Sequence, residues 1–195
     1  MSTSSRRKAA YHHGDLHPAL LRAATDVMEK QGLEALTLRD VARRAGVSHN
    51  APYRHFKDRN ALLAALAEDG FRALGKALEG KSGTSMGEAY VRFGLANPAR
   101  FRLMFSGSVR FGGHPALREA SRLAYEALLS ALRSRQDLQD PEVAAAAAWS
   151  LVHGLASLLL DGHFERATRS GADQERFITN VLKSVRFAGT LQRSA

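Results

Sequence analysis

The chain has 195 residues, 45% of them hydrophobic, enough to bury a core in one or two domains and too much for overall disorder. Zero cysteines exclude disulfides and thiolate-bound metals, and agree with a cytoplasmic location. The formal charge of +9 suits an anionic partner, but residues 1–80 carry +4 and the remainder +5, so net charge does not locate a binding site.

Residues 1–13, with Arg6, Arg7 and Lys8, read as a flexible basic arm, able to lie along phosphates and equally consistent with a plain disordered tail. No apolar core follows this start, so no signal peptide is expected. His12 and His13 are adjacent, without helical ligand spacing or a third ligand, so no metal site is expected there. A first helix is predicted from Asp15, with Pro18 tolerated in its first turn, Leu20, Ala24, Val27 and Met28 on one face, and Gly32 at its end.

That helix would brace residues 37–59, TLRDVARRAGVSHNAPYRHFKDR, which carry the sharpest signal in the chain. The Thr37 hydroxyl is expected to cap a helix, with Asp40 reaching back to complete a capping box and Leu36 and Val41 forming a hydrophobic staple. Val41, Ala42 and Ala45 give it an apolar side, and Gly46 ends it through the left-handed conformation. Ser48 then caps a short second helix, His49 to about His55, with Pro52 near its start. Two helices joined in this way read as a helix-turn-helix, in which the start of the second helix faces base edges. His49 and Asn50 are expected to hydrogen-bond bases, Ala51 to touch a thymine methyl, and Arg39 to reach a guanine edge or a phosphate. Tyr53, His55, Lys57 and Arg59 supply donors where phosphates would lie. Six Lys or Arg against two Asp between Arg39 and Arg59 make the strip basic. An ordinary helical corner with solvated charges has the same pattern.

Asp58 is expected to cap a further helix with Leu62, Leu63, Leu66, Phe71, Leu74 and Leu78 as its apolar stripe, linking the DNA-reading head to the rest. Residues 80–87, GKSGTSMG, read as a linker and domain boundary. Helical periodicity resumes with Tyr90, Val91, Phe93 and Leu95 and ends near Asn97-Pro98. A short segment to Phe105 follows, then a loop over residues 107–113, then an amphipathic helix from Leu117 to Leu132. Asp140-Pro141-Glu142 opens a helix in which Val143 to Leu160 contain no charged residue. These eighteen residues nearly reach a membrane span, but their many Ala, Ser and Gly favour a buried helix packed against a partner. After a loop at residues 169–172, a last helix carries Phe177, Ile178, Val181, Leu182, Val185 and Phe187. The whole is read as all-α, with about nine helices.

The stretch LTLRDVARRAGVSHNAPYRHFKDRNALLAAL resembles the DNA-binding domain of the tetracycline-repressor (TetR) family of transcriptional regulators. The match rests on Gly46-Val47-Ser48 at the turn, Tyr53-Arg54-His55-Phe56 at the end of the reading helix, and Arg59 opening the next, and it covers about residues 11–78. By position, Arg39 and His49 resemble the family's base-contacting residues, and Thr37, Tyr53 and Arg59 its phosphate-contacting ones. Ala51-Pro52 departs from the family's commoner Thr-Leu or Ala-Leu and resembles a subgroup with a Trp…His-Gly signature, matched here by Trp149, His153 and Gly154. The resemblance implies a three-helix DNA-binding domain over residues 14–80 and a ligand-binding and dimerisation domain over 81–195. It also implies a homodimer through the last two helices.

Tyr90, Phe93, Phe101, Met104, Phe105, Tyr125 and Trp149, with His153 as a polar group, are candidates to line a small-molecule pocket, although the same residues would make a plain core. His153 lies one turn after Trp149, so the two are also candidates simply to pack together. The functional expectation is a repressor that binds a palindromic operator on double-stranded DNA as a homodimer and is released by an unidentified small-molecule effector. A constitutive DNA-binding dimer without effector is the alternative. No nucleophile–base pair, metal cluster or phosphate loop argues for an enzyme, and Asp161-Gly162-His163 is too sparse to count. No cofactor and no membrane partner are expected.

Overall fold

The computed structural model describes residues 16–109 and 111–185. The basic arm, the His12–His13 pair, the start at Asp15 and Phe187 lie outside them. Among the described residues the chain is all-helical: α1 (Leu16–Gln31), α2 (Leu38–Ala45), a 3-10 turn at Pro52–Arg54, α3 (Arg59–Leu78), α4 (Gly83–Ala96), α5 (Pro98–Phe105), a 3-10 turn at Phe111–Gly113, α6 (Pro115–Arg133), α7 (Pro141–Leu160) and α8 (Gly171–Ser184). Two compact units divide between Leu62 and Leu63, and α3 runs unbroken through the division.

In the first unit α1 packs on α2 through Leu20, Ala24, Val27 and Met28 against Leu38, Val41 and Ala42, all buried. The α2 cap differs in one detail from the expected box. The Asp40 amide donates to the Thr37 hydroxyl (3.1 Å), but the Asp40 carboxylate accepts a hydrogen bond from that hydroxyl rather than from the Thr37 amide. Gly46 closes α2 at φ +69°, a conformation that a Cβ disfavours, and the Val47 amide reaches back to the Ala42 carbonyl (3.0 Å). The expected helix from His49 to His55 is instead a chain of tight turns ending in the 3-10 turn at Pro52–Arg54, which leaves eight α-helices among the described residues against the roughly nine expected. Proline explains this. Without an N–H, Pro52 cannot bond to the Ser48 carbonyl, and that acceptor takes the Ala51 amide at i+3 instead (3.0 Å). Ser48 therefore does not cap: the residue before the 3-10 turn is Ala51, with no side-chain cap.

In the second unit α4 packs on α5, α7 and α8, and α6 packs on α7. Most of the stretch expected as a linker is helix, because α4 starts at Gly83. The Ser85 hydroxyl accepts the Ser82 amide (3.4 Å) and donates to the Ser82 carbonyl (2.7 Å), which holds the first turn despite its loop-like composition. Asp140 caps α7 by accepting from the Glu142 and Val143 amides, and Ser170 caps α8, so the loop expected at residues 169–172 is shorter than its composition suggests. α7 is long and apolar enough to cross a membrane by length and composition, and 28% of that window is buried in the chain. Its inner face holds Ala145, Val152, Leu155 and Ala156, whereas Val143 and Leu158 stay exposed.

Candidate nucleic-acid interface and ligand cavity

Arg39 in the first turn of α2 and His49, Asn50 and Tyr53 in the following turns line one concavity of about 320 Å³. Four side chains expected to face DNA thus converge on one side of the first unit. His49 and Asn50 are exposed and Ala51 is half-buried. Tyr53 is 55% exposed, which is unusual for an aromatic ring with a core nearby. Thr37 is exposed at the cap, and Ser48 presents itself at the turn.

The basic strip sorts itself by pairing. Arg43 is bound to Asp40 and Arg44 to Asp26 of α1, which ties α1 to α2. Arg59 turns inward, its Nε donating to the Leu36 carbonyl (2.8 Å) and Nη2 to that of Leu33 (2.7 Å). It therefore fastens the start of α3 to the α1–α2 connection. Arg39, Arg54 and Lys57 make no ion pair among the described residues. His55 sets its ring edge-on to His17 of α1 (5.8 Å), beside the buried Phe56.

The second unit encloses a cavity of about 820 Å³. Of the candidate lining residues, Tyr90, Phe105, Tyr125 and Trp149 face it, while Phe93, Phe101, Met104 and His153 do not. Phe93, Phe101 and Met104 are buried core. Phe71, Leu74 and Leu78 of α3 also line it, where the sequence shows only an apolar stripe. A stripe on a helix tells which side is covered, not whether atoms or empty space cover it.

Behind the aromatic wall lies a hydrogen-bonded chain. The Trp149 indole N–H donates to the Tyr90 hydroxyl oxygen (3.0 Å), and that hydroxyl lies 3.0 Å from Nδ1 of His153. An indole can only donate, so the Tyr90 oxygen accepts from Trp149, and with His153 in its neutral Nε2–H tautomer the Tyr90 hydroxyl donates to Nδ1. Burial raises the Tyr90 phenol above its ordinary range, an effect only partly offset by the Trp149 bond, and burial lowers His153 below its ordinary value. Both shifts keep the chain uncharged near neutral pH. Phe101 stacks on the imidazole (5.2 Å) and Phe105 meets it edge-on (4.6 Å). Trp149 and His153 thus do more than pack together: a tyrosine from α4 bridges them.

The sequence of the described C-terminal unit matches the family model "Tetracyclin repressor-like, C-terminal domain" over residues 84–185, and residues 20–66 match "Bacterial regulatory proteins, tetR family". The tetracycline repressor protein class A from transposon 1721 of Escherichia coli is 47% identical over 49 residues, 25% of this chain and 23% of that protein. An HTH-type transcriptional regulator of Mycobacterium bovis is 34% identical over 65 residues, 33% of this chain and 35% of that protein. The chain therefore matches only about a quarter to a third of the length of these curated relatives. Among solved structures, a protein of unknown function from Rhodococcus sp. RHA1 is 32% identical with a TM-score of 0.76, covering 91% of this chain and 99% of that one. A regulatory protein of the tetR family from Rhodococcus RHA1 shares the fold at 21% identity and a TM-score of 0.59, covering 86% and 95%. The head that carries Arg39, His49, Asn50 and Tyr53 and the helical unit with its cavity each match their counterpart model, and this chain belongs to the TetR family of DNA-binding transcriptional regulators, which are not enzymes.

Proposed function

We propose that this regulator is a repressor that binds a palindromic operator as a homodimer in the cytoplasm and is released by a small-molecule effector held in the 820 Å³ cavity. The observation that carries the DNA-reading half is the convergence of Arg39, His49, Asn50 and Tyr53 on one exposed concavity. In this reading Arg39, His49, Asn50 and Ala51 meet base edges, and Thr37, Ser48, Tyr53, His55 and Lys57 meet the backbone. Arg59 supports them by holding the α1–α2 connection.

Dimerisation is supported by α7, which leaves Val143 and Leu158 exposed although nearly all of its sequence is apolar. Covering that face with α7 and α8 of a second copy would make a four-helix bundle. Pairing has a physical use, since one short reader contacts few base pairs and two-fold symmetry doubles the site. Effector control is supported by α3, whose Phe71, Leu74 and Leu78 line the cavity and whose Arg59 begins the same helix. A ligand that favours one placement of α3 shifts the equilibrium between DNA-competent and incompetent heads by its differential affinity and by nothing else.

The test is selection of bound sequences from a random duplex pool at fixed, near-physiological salt. A palindromic motif is expected. Retention without any motif would replace this reading with nonspecific binding, and a lone half-site would remove the dimer.

A further inference from the structure

The cavity of the second unit has a chemistry of its own, and the inference rests on reading it as the effector site. Among the described residues the charged lining residues are Arg135 and Asp137, which are ion-paired to each other, with side chains 42% and 54% exposed. Charge therefore sits at the rim and is already neutralised. The buried part of the lining is apolar apart from Tyr90. One wall is aromatic: Trp149 lies 5.6 Å from Tyr125 and 6.2 Å from Phe105, ring centre to ring centre. The Trp149 indole N–H is spent on Tyr90, whose hydroxyl lies 3.0 Å from Nδ1 of His153, and the Tyr125 hydroxyl is the polar hydrogen this wall can still offer an uncharged acceptor.

We propose that the cavity takes an uncharged molecule built on a flat apolar ring system, lying against Tyr125, Trp149 and Phe105. A carboxylate or ammonium entering it would lose its hydration and find no free counter-charge among the described residues, because Arg135 and Asp137 already hold each other. A flat ring instead gains offset or edge-to-face contact with the wall. Volume agrees, since pockets for molecules of drug size span roughly 300–1,000 Å³.

The experiment uses the full chain and three probes that share one ring and differ in the charge of a small substituent: 1-pyrenemethanol, 1-pyrenecarboxylate and 1-pyrenemethylammonium. Trp149 is the single tryptophan, and its emission overlaps pyrene absorption, so quenching at Trp149 with sensitised pyrene emission reports arrival at this wall. The neutral probe is expected to bind at least about ten-fold tighter than either charged one. In Leu128→Lys, a cation placed in the wall is expected to weaken the neutral probe and strengthen the carboxylate. If that variant does not fold, the wild-type ranking decides alone. A charged probe binding as tightly as the neutral one, no quenching by any probe, or neutral binding unaffected in a folded Leu128→Lys would each overturn the inference. DNA binding measured with the neutral probe bound separates the two readings. Quenching in the expected order with DNA affinity unchanged supports the ligand class and removes the effector role.

Discussion

At the scale of single residues, neighbours that look alike in sequence are placed differently, some toward an open concavity and some against the backbone. Arg39 and Arg59 are both arginines in the first turn of a helix, but Arg39 faces an open concavity and Arg59 holds two backbone carbonyls. Arg39→Ala and His49→Ala should each cost about 1–3 kcal/mol of discrimination between the selected motif and random DNA. Tyr53→Ala should weaken both kinds of duplex alike. Fluorescence anisotropy on the two duplexes measures this, and equal losses for all three variants would remove the division of roles. The Tyr90 bridge gives a second expectation. Tyr90→Phe leaves the Trp149 N–H and His153 Nδ1 without partners and should cost about 1–3 kcal/mol of unfolding free energy, read by urea denaturation. The folded state also holds His153 below its ordinary value of 6.5, so the unfolded chain takes up that proton first. The associated stability is complete above 6.5 and is lost as pH falls from there toward the lower folded value. Urea midpoints should therefore drop more between about pH 7.5 and about pH 5.5 in wild type than in His153→Gln.

At the scale of elements, helix ends were legible where a local cap writes them and illegible where a tertiary neighbour or a missing amide decides. Thr37, Gly46, Asp58 and Asp140 each mark an end of α2, α3 or α7 by bonds within a few residues, and the sequence shows them directly. The reader segment failed as a helix prediction because the apolar pattern cannot register the one N–H that Pro52 lacks. The α4 start was hidden for the opposite reason, since Gly and Ser composition spoke for a loop while Ser82 and Ser85 close a turn between themselves. Gly70 shows an element contact with no sequence signature. A Cβ placed there would come within 2.6 Å of the Met104 sulfur and 2.9 Å of its Cγ, so α3 and α5 approach through a missing side chain. Overpacking against Met104 should outweigh the helix-propensity gain of about 1 kcal/mol, so Gly70→Ala should destabilise the protein by up to about 2 kcal/mol. In a double-mutant cycle with Met104→Ala the two changes should be non-additive by about 0.5 kcal/mol or more.

At the scale of the molecule, α7 links composition to assembly. Eighteen uncharged residues are too many for one side of a helix to bury, and the exposed Val143 and Leu158 are where the surplus goes. Leu158→Asp should shift sedimentation equilibrium toward monomer and lower operator affinity, while binding of a single head to half-site DNA should change little. A variant that stays dimeric would move the interface elsewhere. The amino-acid sequence by itself determined the all-helical fold and the family, because periodicity, caps and a spaced motif act over a few residues and are written locally. Only the tertiary structure decided which arginines stay unpaired, that a tyrosine joins Trp149 to His153, and that Phe93, Phe101 and Met104 fill core while Phe105, Tyr125 and Trp149 face a cavity. Those outcomes depend on which side chains arrive from distant helices, and an apolar stripe reads the same whether a neighbour's atoms or empty space lie against it.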